Sequence, residues 1–180
     1  METHILFSTR ERAKILREAV YSIKPLTVAK LAKKLQLSKS VVSKFLGMLT
    51  KEKIVRRKGA GYVVVESPQT VAVRLLFNIS SFDRALFSYP FVKAVGIYGS
   101  WAKGRNTVDS DIDMWIKVGR AGTADLAALQ HRLMKIFPKI KILFIDEEKV
   151  EHIKVKNPLF FHSLVFGSIA IYGDLDEIYK

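Results

Sequence analysis

The run "DIDMWIKV", residues 111–118, opens with two acids on alternate positions and continues as apolar sequence broken only by Lys117. Successive strand residues face opposite sides of a sheet, so Asp111 and Asp113 share one face while Ile112, Met114 and Ile116 take the other and enter a core. The run reads as a buried strand with carboxylates at its mouth. Around it, "FVKAVGIYGS" reads as a strand ending at Gly99, "KIKILFI" as a third strand and "SIAIYG" as a short last one. Helical segments lie between them. "GRAGTADLAALQHRLMKIF" gives a loop and a helix capped by Thr123, with Leu126, Leu129, Leu133 and Ile136 inward. "DEEKVEHIKV" and "PLFFHSLVF" give two more helices. Such alternation predicts an α/β domain around one small mixed sheet.

The first third is different. "STRERAKILREAVYSIK" places Glu11 three residues after Ser8, a capping-box pattern, and predicts a helix over 9–22. Pro25 ends it, Thr27 caps a second helix, and Ser38 caps a third that buries Val42, Leu46 and Leu49. "IVRRKGAGYVVVE" then reads as a β-hairpin with a flexible Gly59-Ala60-Gly61 tip. "ESPQT" is the linker, so the expected domains are 1–66 and 67–180. A long helix is expected from Pro68 to Pro90, packed on the second domain or serving as a dimer element, which leaves a homodimer open.

Charge follows the same division. Residues 1–66 hold 15 Lys+Arg against 5 Asp+Glu, and residues 67–180 hold 15 against 12. The strong excess in the first part implies a polyanionic partner. Two short helices across a tight turn, the second basic and amphipathic, followed by a basic hairpin, resemble the winged helix-turn-helix family of DNA-binding domains over residues 5–66. The resemblance implies an α+β fold with DNA as partner. Lys39, Ser40, Ser43 and Lys44, at the exposed start of the third helix, would meet bases or phosphates, and Arg56, Arg57 and Lys58 of the hairpin would meet the backbone or minor groove.

In the second part the acids stand in "GSWAKGRNTVDSDIDMWI". Two carboxylates on one strand face repel, and a divalent cation held by both, with phosphate oxygens completing its shell, offsets that repulsion. Gly99 allows close approach of the backbone to a ligand, and Ser100 is placed to cap a short helix whose free N–H groups suit phosphate. Three other motifs fail on spacing. Arg105 and Asn106 stand where a P-loop needs Lys and Ser/Thr. A calcium loop starting at Asp109 would need Gly at Met114 and Glu at Arg120. The glycines of "GIYGSWAKG" do not fit a dinucleotide turn.

Gly-Ser, a spacer, then Asp-x-Asp at the head of an apolar strand resembles the nucleotidyltransferase signature of the DNA polymerase β superfamily. Its minimal branch is the nearest likeness, through Ala102-Lys103-Gly104 and Ser110-Asp111-Ile112-Asp113, over roughly residues 70–173. The resemblance implies that Gly99 and Ser100 hold a nucleoside triphosphate, that Asp111 and Asp113 ligate Mg²⁺, and that a nucleoside monophosphate is transferred to a hydroxyl. Lys103 and Arg105 either touch phosphates or are solvated. The family's third carboxylate would fall near Lys141 or Leu143, neither of which ligates a metal, and Asp146 at the strand end is the substitute catalytic acid. Trp115 either stacks on a base or packs a sheet face.

Besides a pure DNA-binding protein whose second domain is only a dimer scaffold, two functions stand open. One is nucleotidyl transfer by a Mg²⁺ enzyme localised or regulated by DNA. The other is transcription regulation by a protein whose catalytically degenerate domain binds nucleotide without turnover. The absence of cysteine excludes disulfides, thiolate nucleophiles and cysteine-ligated zinc. The four histidines lack metal-ligand spacing. Neither a signal-peptide core nor a membrane span is found, so no membrane partner is expected and the expected location is the cytoplasm.

Overall fold

The computed structural model describes residues 3–179, in two compact units. One comprises the described residues up to Phe77 together with Asn106–Asp109. The other comprises Asn78–Arg105 and the described residues from Ser110 onward.

In the first unit, α1 (Thr3–Leu6) leads into α2 (Arg10–Tyr21), α3 (Val28–Leu35) and α4 (Lys39–Lys51). Thr27 and Ser38 cap α3 and α4 by accepting from Lys30 N and Val41 N. At α2 the expected cap moves by one residue. Thr9 accepts from Arg12 N at 3.2 Å, while the Ser8 hydroxyl donates back to Ile5 O. The inward faces of the three helices meet through Ile15, Leu16, Val20, Leu31, Val42, Phe45, Leu46 and Leu49. The hairpin pairs β1 (Val55–Lys58) with β2 (Gly61–Val64), Lys58 opposite Gly61. Gly59 at φ +58° makes this two-residue turn. Leu26 adds a one-residue third strand by exchanging two 2.8 Å backbone hydrogen bonds with Tyr62.

Helix α5 runs Pro68–Ile79 and stops well short of Pro90. Two serines and Asp83 follow. Asp83 turns its carboxylate to Ala85 N and caps a separate 3₁₀ turn, Arg84–Phe87. Short polar side chains compete with helical backbone bonds in this way. Val73 and Phe77 of α5 join the core of the first unit, where the expectation set the helix on the second domain or in a dimer. The boundary between compact units consequently falls after Phe77 and not at 66/67.

The second unit holds a four-stranded mixed sheet ordered β5-β4-β3-β6. Strands β3 (Val92–Tyr98) and β4 (Ile112–Val118) are antiparallel, β4 and β5 (Ile140–Ile145) parallel, and β6 (Ile169–Tyr172) antiparallel to β3. The parallel pair is joined by α7 (Thr123–Ile136), as a parallel connection requires. Its cap is Gly122 in place of Thr123, with Asp125 Oδ2 accepting from Gly122 N at 3.1 Å. Leu129 and Leu133 are buried, whereas Ile136, expected inward, is 46% exposed.

Each sheet face has its own core. Val95, Ile97, Met114, Ile116 and Ile140 point to the side of Leu129 and Leu133. Ala94, Trp115 and Ile145 point to the other side, packed with α8 (Glu147–Lys156) and α9 (Pro158–Gly167). Trp115 is fully buried there and donates from Nε1 to Ser168 Oγ, so it packs the sheet and is not offered to a base. Gly96, its partner in register, leaves the ring its room: a Cβ there would lie 2.4 Å from Trp115 Cζ2. Among the described residues no helix is long and apolar enough to cross a membrane.

Candidate functional site

The site lies where β3 ends and β4 begins. Antiparallel register sets Tyr98 opposite Asp113, and parallel register sets Lys141 of β5 on the other side of Asp113. All three share one sheet face. Asp111 lies just before β4, half-buried. The chain leaves β3 through Gly99 at φ +67°, where a Cβ would sit 2.7 Å from Asp113 Oδ2. Glycine thus allows the turn and brings the backbone against the carboxylate. Ser100 is half-buried inside the short helix α6 (Gly99–Ala102), which Tyr98 precedes, so Ser100 is not its cap. Lys103, just after α6, is exposed.

The two acids stand in opposite electrostatic states. The Lys141 ammonium donates to Asp111 Oδ2 at 2.6 Å. That bond holds the Asp111 carboxyl below the usual carboxylate range and raises Lys141 in turn. Asp113 goes the other way: burial raises it, and the Lys141 charge offsets only part of the rise. Tyr98 is raised as well, by its own burial and then by the Asp113 charge beside it. Tyr98 has no role in the sequence reading; its place on the Asp113 face follows from the β3–β4 register, which alternation within one strand does not give.

Asp146 is not at this site. Parallel pairing of Asp113 with Lys141 carries Asp146 five positions further along, about 16 Å at strand rise, toward the opposite end of the sheet. There its Oδ1 accepts from Lys149 N at 2.7 Å and caps α8. The substitute third acid is thereby removed. A divalent cation needs several oxygen donors around it. In the third place stands an ammonium, with three donors and no lone pair, already bonded to one of the two carboxylates. Among the described residues no group of three or more His, Cys, Asp or Glu is placed to hold a metal. As they stand, the side chains do not fit Mg²⁺.

In the first unit, Lys39, Ser40, Ser43 and Lys44 are all exposed on the opening turns of α4. The hairpin's three cations do not act as one set, because the pleat divides them. Arg56 and Lys58 line a cavity of about 350 Å³ with Lys24, Glu66, Arg74 and Thr107, while Arg57, between them, points to the other face.

No protein-family model matches the chain, and no curated protein does. Solved structures resemble part of it. A toxin–antitoxin crystallised with AMP-PNP is 13% identical, over 63% of this chain and 79% of that one, with TM-score 0.36. A mutant of the toxin–antitoxin MntA–HpeT is 12% identical over 63% and 79%, with TM-score 0.35. The complex of a tri-AMPylated Shewanella oneidensis HEPN toxin with MNT antitoxin is 12% identical over 59% and 76%, with TM-score 0.33. No family is assigned at these values.

Proposed function

We propose that the chain is a DNA-binding protein whose second unit has the nucleotidyltransferase type of fold and binds a nucleoside triphosphate without turning it over. Gly99, Ser100 and Lys103 receive the phosphates beside Asp113, and the first unit binds DNA as a winged helix, through α4 and the hairpin. The carrying observation is the 2.6 Å bond from Lys141 to Asp111, with Lys141 in register beside Asp113. A base or metal ligand at that place would prepare an attacking hydroxyl for phosphoryl chemistry; an ammonium does neither.

A second reading, transfer of the nucleoside monophosphate to a hydroxyl, has one observation in its favour. Asp113 remains against Gly99, with Asp111 two positions before it, and the Lys141 side chain is 67% exposed, so it is displaceable. α-Labelled ATP or GTP separates the two. With DNA, RNA and the protein itself present as acceptors, the expected result is bound nucleotide recovered as intact triphosphate. In parallel, DNA retention should fall steeply with salt. Label in any acceptor, lost in Asp113→Asn, would establish transfer and overturn binding without turnover.

A further inference from the structure

Accepting that the second unit binds a nucleoside triphosphate, we propose that the Lys141 ammonium takes the place of the divalent cation between the carboxylates and the polyphosphate, so that the ligand binds without metal. The sheet supplies the placement. Lys141 is fixed by parallel pairing beside Asp113, and its side chain reaches Asp111 at 2.6 Å. One cation thus bonds Asp111 and acts on Asp113 through its charge, where a metal ion would stand, but it is covalently part of the strand. An ammonium has three N–H donors. One is spent on Asp111, and two are left for phosphate oxygens.

The local charge agrees. Lys139 acts on Asp111 from the start of the same strand, and its carbonyl accepts from Ile112 N at 2.9 Å. Lys103 caps the far end of α6, one turn from Gly99, whose carbonyl accepts from the Lys103 N–H at 3.2 Å. Lys139 and Lys141 bring two positive charges against the two carboxylates, which offsets their repulsion of a polyanion with no added ion. A divalent ion entering between Asp111 and Asp113 would meet the tethered ammonium as a like charge and must first break its bond to Asp111. The acid pair therefore has a role other than metal binding. It holds Lys141 in position, and Lys141 meets the phosphates.

Calorimetric titration of the full chain with AMP-PNP, in EDTA and in MgCl₂, tests this. Dissociation constants within about threefold of each other are expected. Lys141→Arg should keep the binding in EDTA. Lys141→Glu should lose it by about tenfold or more, and Mn²⁺ should restore it. Electron paramagnetic resonance of Mn²⁺ gives a readout free of nucleotide. The free-ion signal should fall when Lys141→Glu protein is added and stay unchanged with the native chain. Circular dichroism, with Lys141→Gln as a second variant, shows that loss of binding is not loss of fold. Binding that the native chain shows only with Mg²⁺, or that Lys141→Glu shows unchanged in EDTA, overturns the inference while leaving nucleotide binding intact. Absence of binding under every condition overturns the parent reading and this one together.

Discussion

Lys117 is 4% exposed on β4, between Ala94 and Ile145 in the register of the sheet, and its Nζ has no hydrogen-bond partner. A buried ammonium without a partner opposes folding, and an apolar side chain of similar length removes that opposition. Lys117→Met is expected to stabilise the protein by about 1–3 kcal/mol. Urea unfolding would show a higher midpoint with an unchanged slope. A lower midpoint would mean that the ammonium has an anionic partner in solution. At this scale the sequence is informative about faces and silent about partners. Alternation places Asp111, Asp113 and Trp115 on one side of the strand. That Lys141 bonds Asp111, and that Asp146 is out of reach, depend on how β5 is registered against β4 across the whole α7 crossover, and no short-range pattern encodes that.

Arg74 shows what an element can hide. Its guanidinium is 1% exposed; Nε donates to Val20 O at 2.7 Å, and Nη1 and Nη2 donate to the two Glu66 oxygens at 2.8 and 2.7 Å. This one side chain ties α5 to the end of α2 and to the residue just after the hairpin. Arg74→Met keeps much of the volume, removes the three bonds and leaves the Val20 carbonyl without that donor. A loss of about 2–4 kcal/mol is expected, read as a lower urea midpoint. If the midpoint does not move, α5 is held by its other contacts, among them Val73 and Phe77 in the core and the bonds of Thr70 to Val65 O and of Tyr21 to Arg74 O. The helices α2, α3 and α4 and the hairpin are legible in the sequence because periodicity and caps are local signals. Helix α5 is misjudged in length because its apolar spacing continues past Ile79 into Phe82 and Phe87. Those residues belong to the other core, and the Ser-Ser-x-Asp interruption outweighs the spacing. The Leu26–Tyr62 bridge leaves no trace, since one residue has no period.

Over the whole molecule, the charge asymmetry between the first third and the rest follows the two-unit division, although the chain does not visit the units in two blocks. It passes from the first to the second after Phe77, returns for Asn106–Asp109, and leaves again at Ser110. The returning segment is integrated into the first unit: Asn106 is 1% exposed and Val108 N donates to Tyr21 O at 3.1 Å. Tyr21 itself is buried enough to push its hydroxyl up to about 12. A fragment beginning at Asn78 therefore carries four residues whose packing partners have been removed. It is expected to show fast amide exchange at 106–109 and a lower unfolding midpoint than the corresponding transition of the full chain. Equal midpoints would show that the segment contributes nothing.

The detour has a bearing on descent as well as on stability. Exchanging the amino-terminal module for a foreign one, as gene fusion does, would strand a loop that sits two residues ahead of Asp111 in the middle of the other module. A replacement would have to offer that loop an equivalent seat, including an acceptor for Val108 N where the Tyr21 carbonyl now stands.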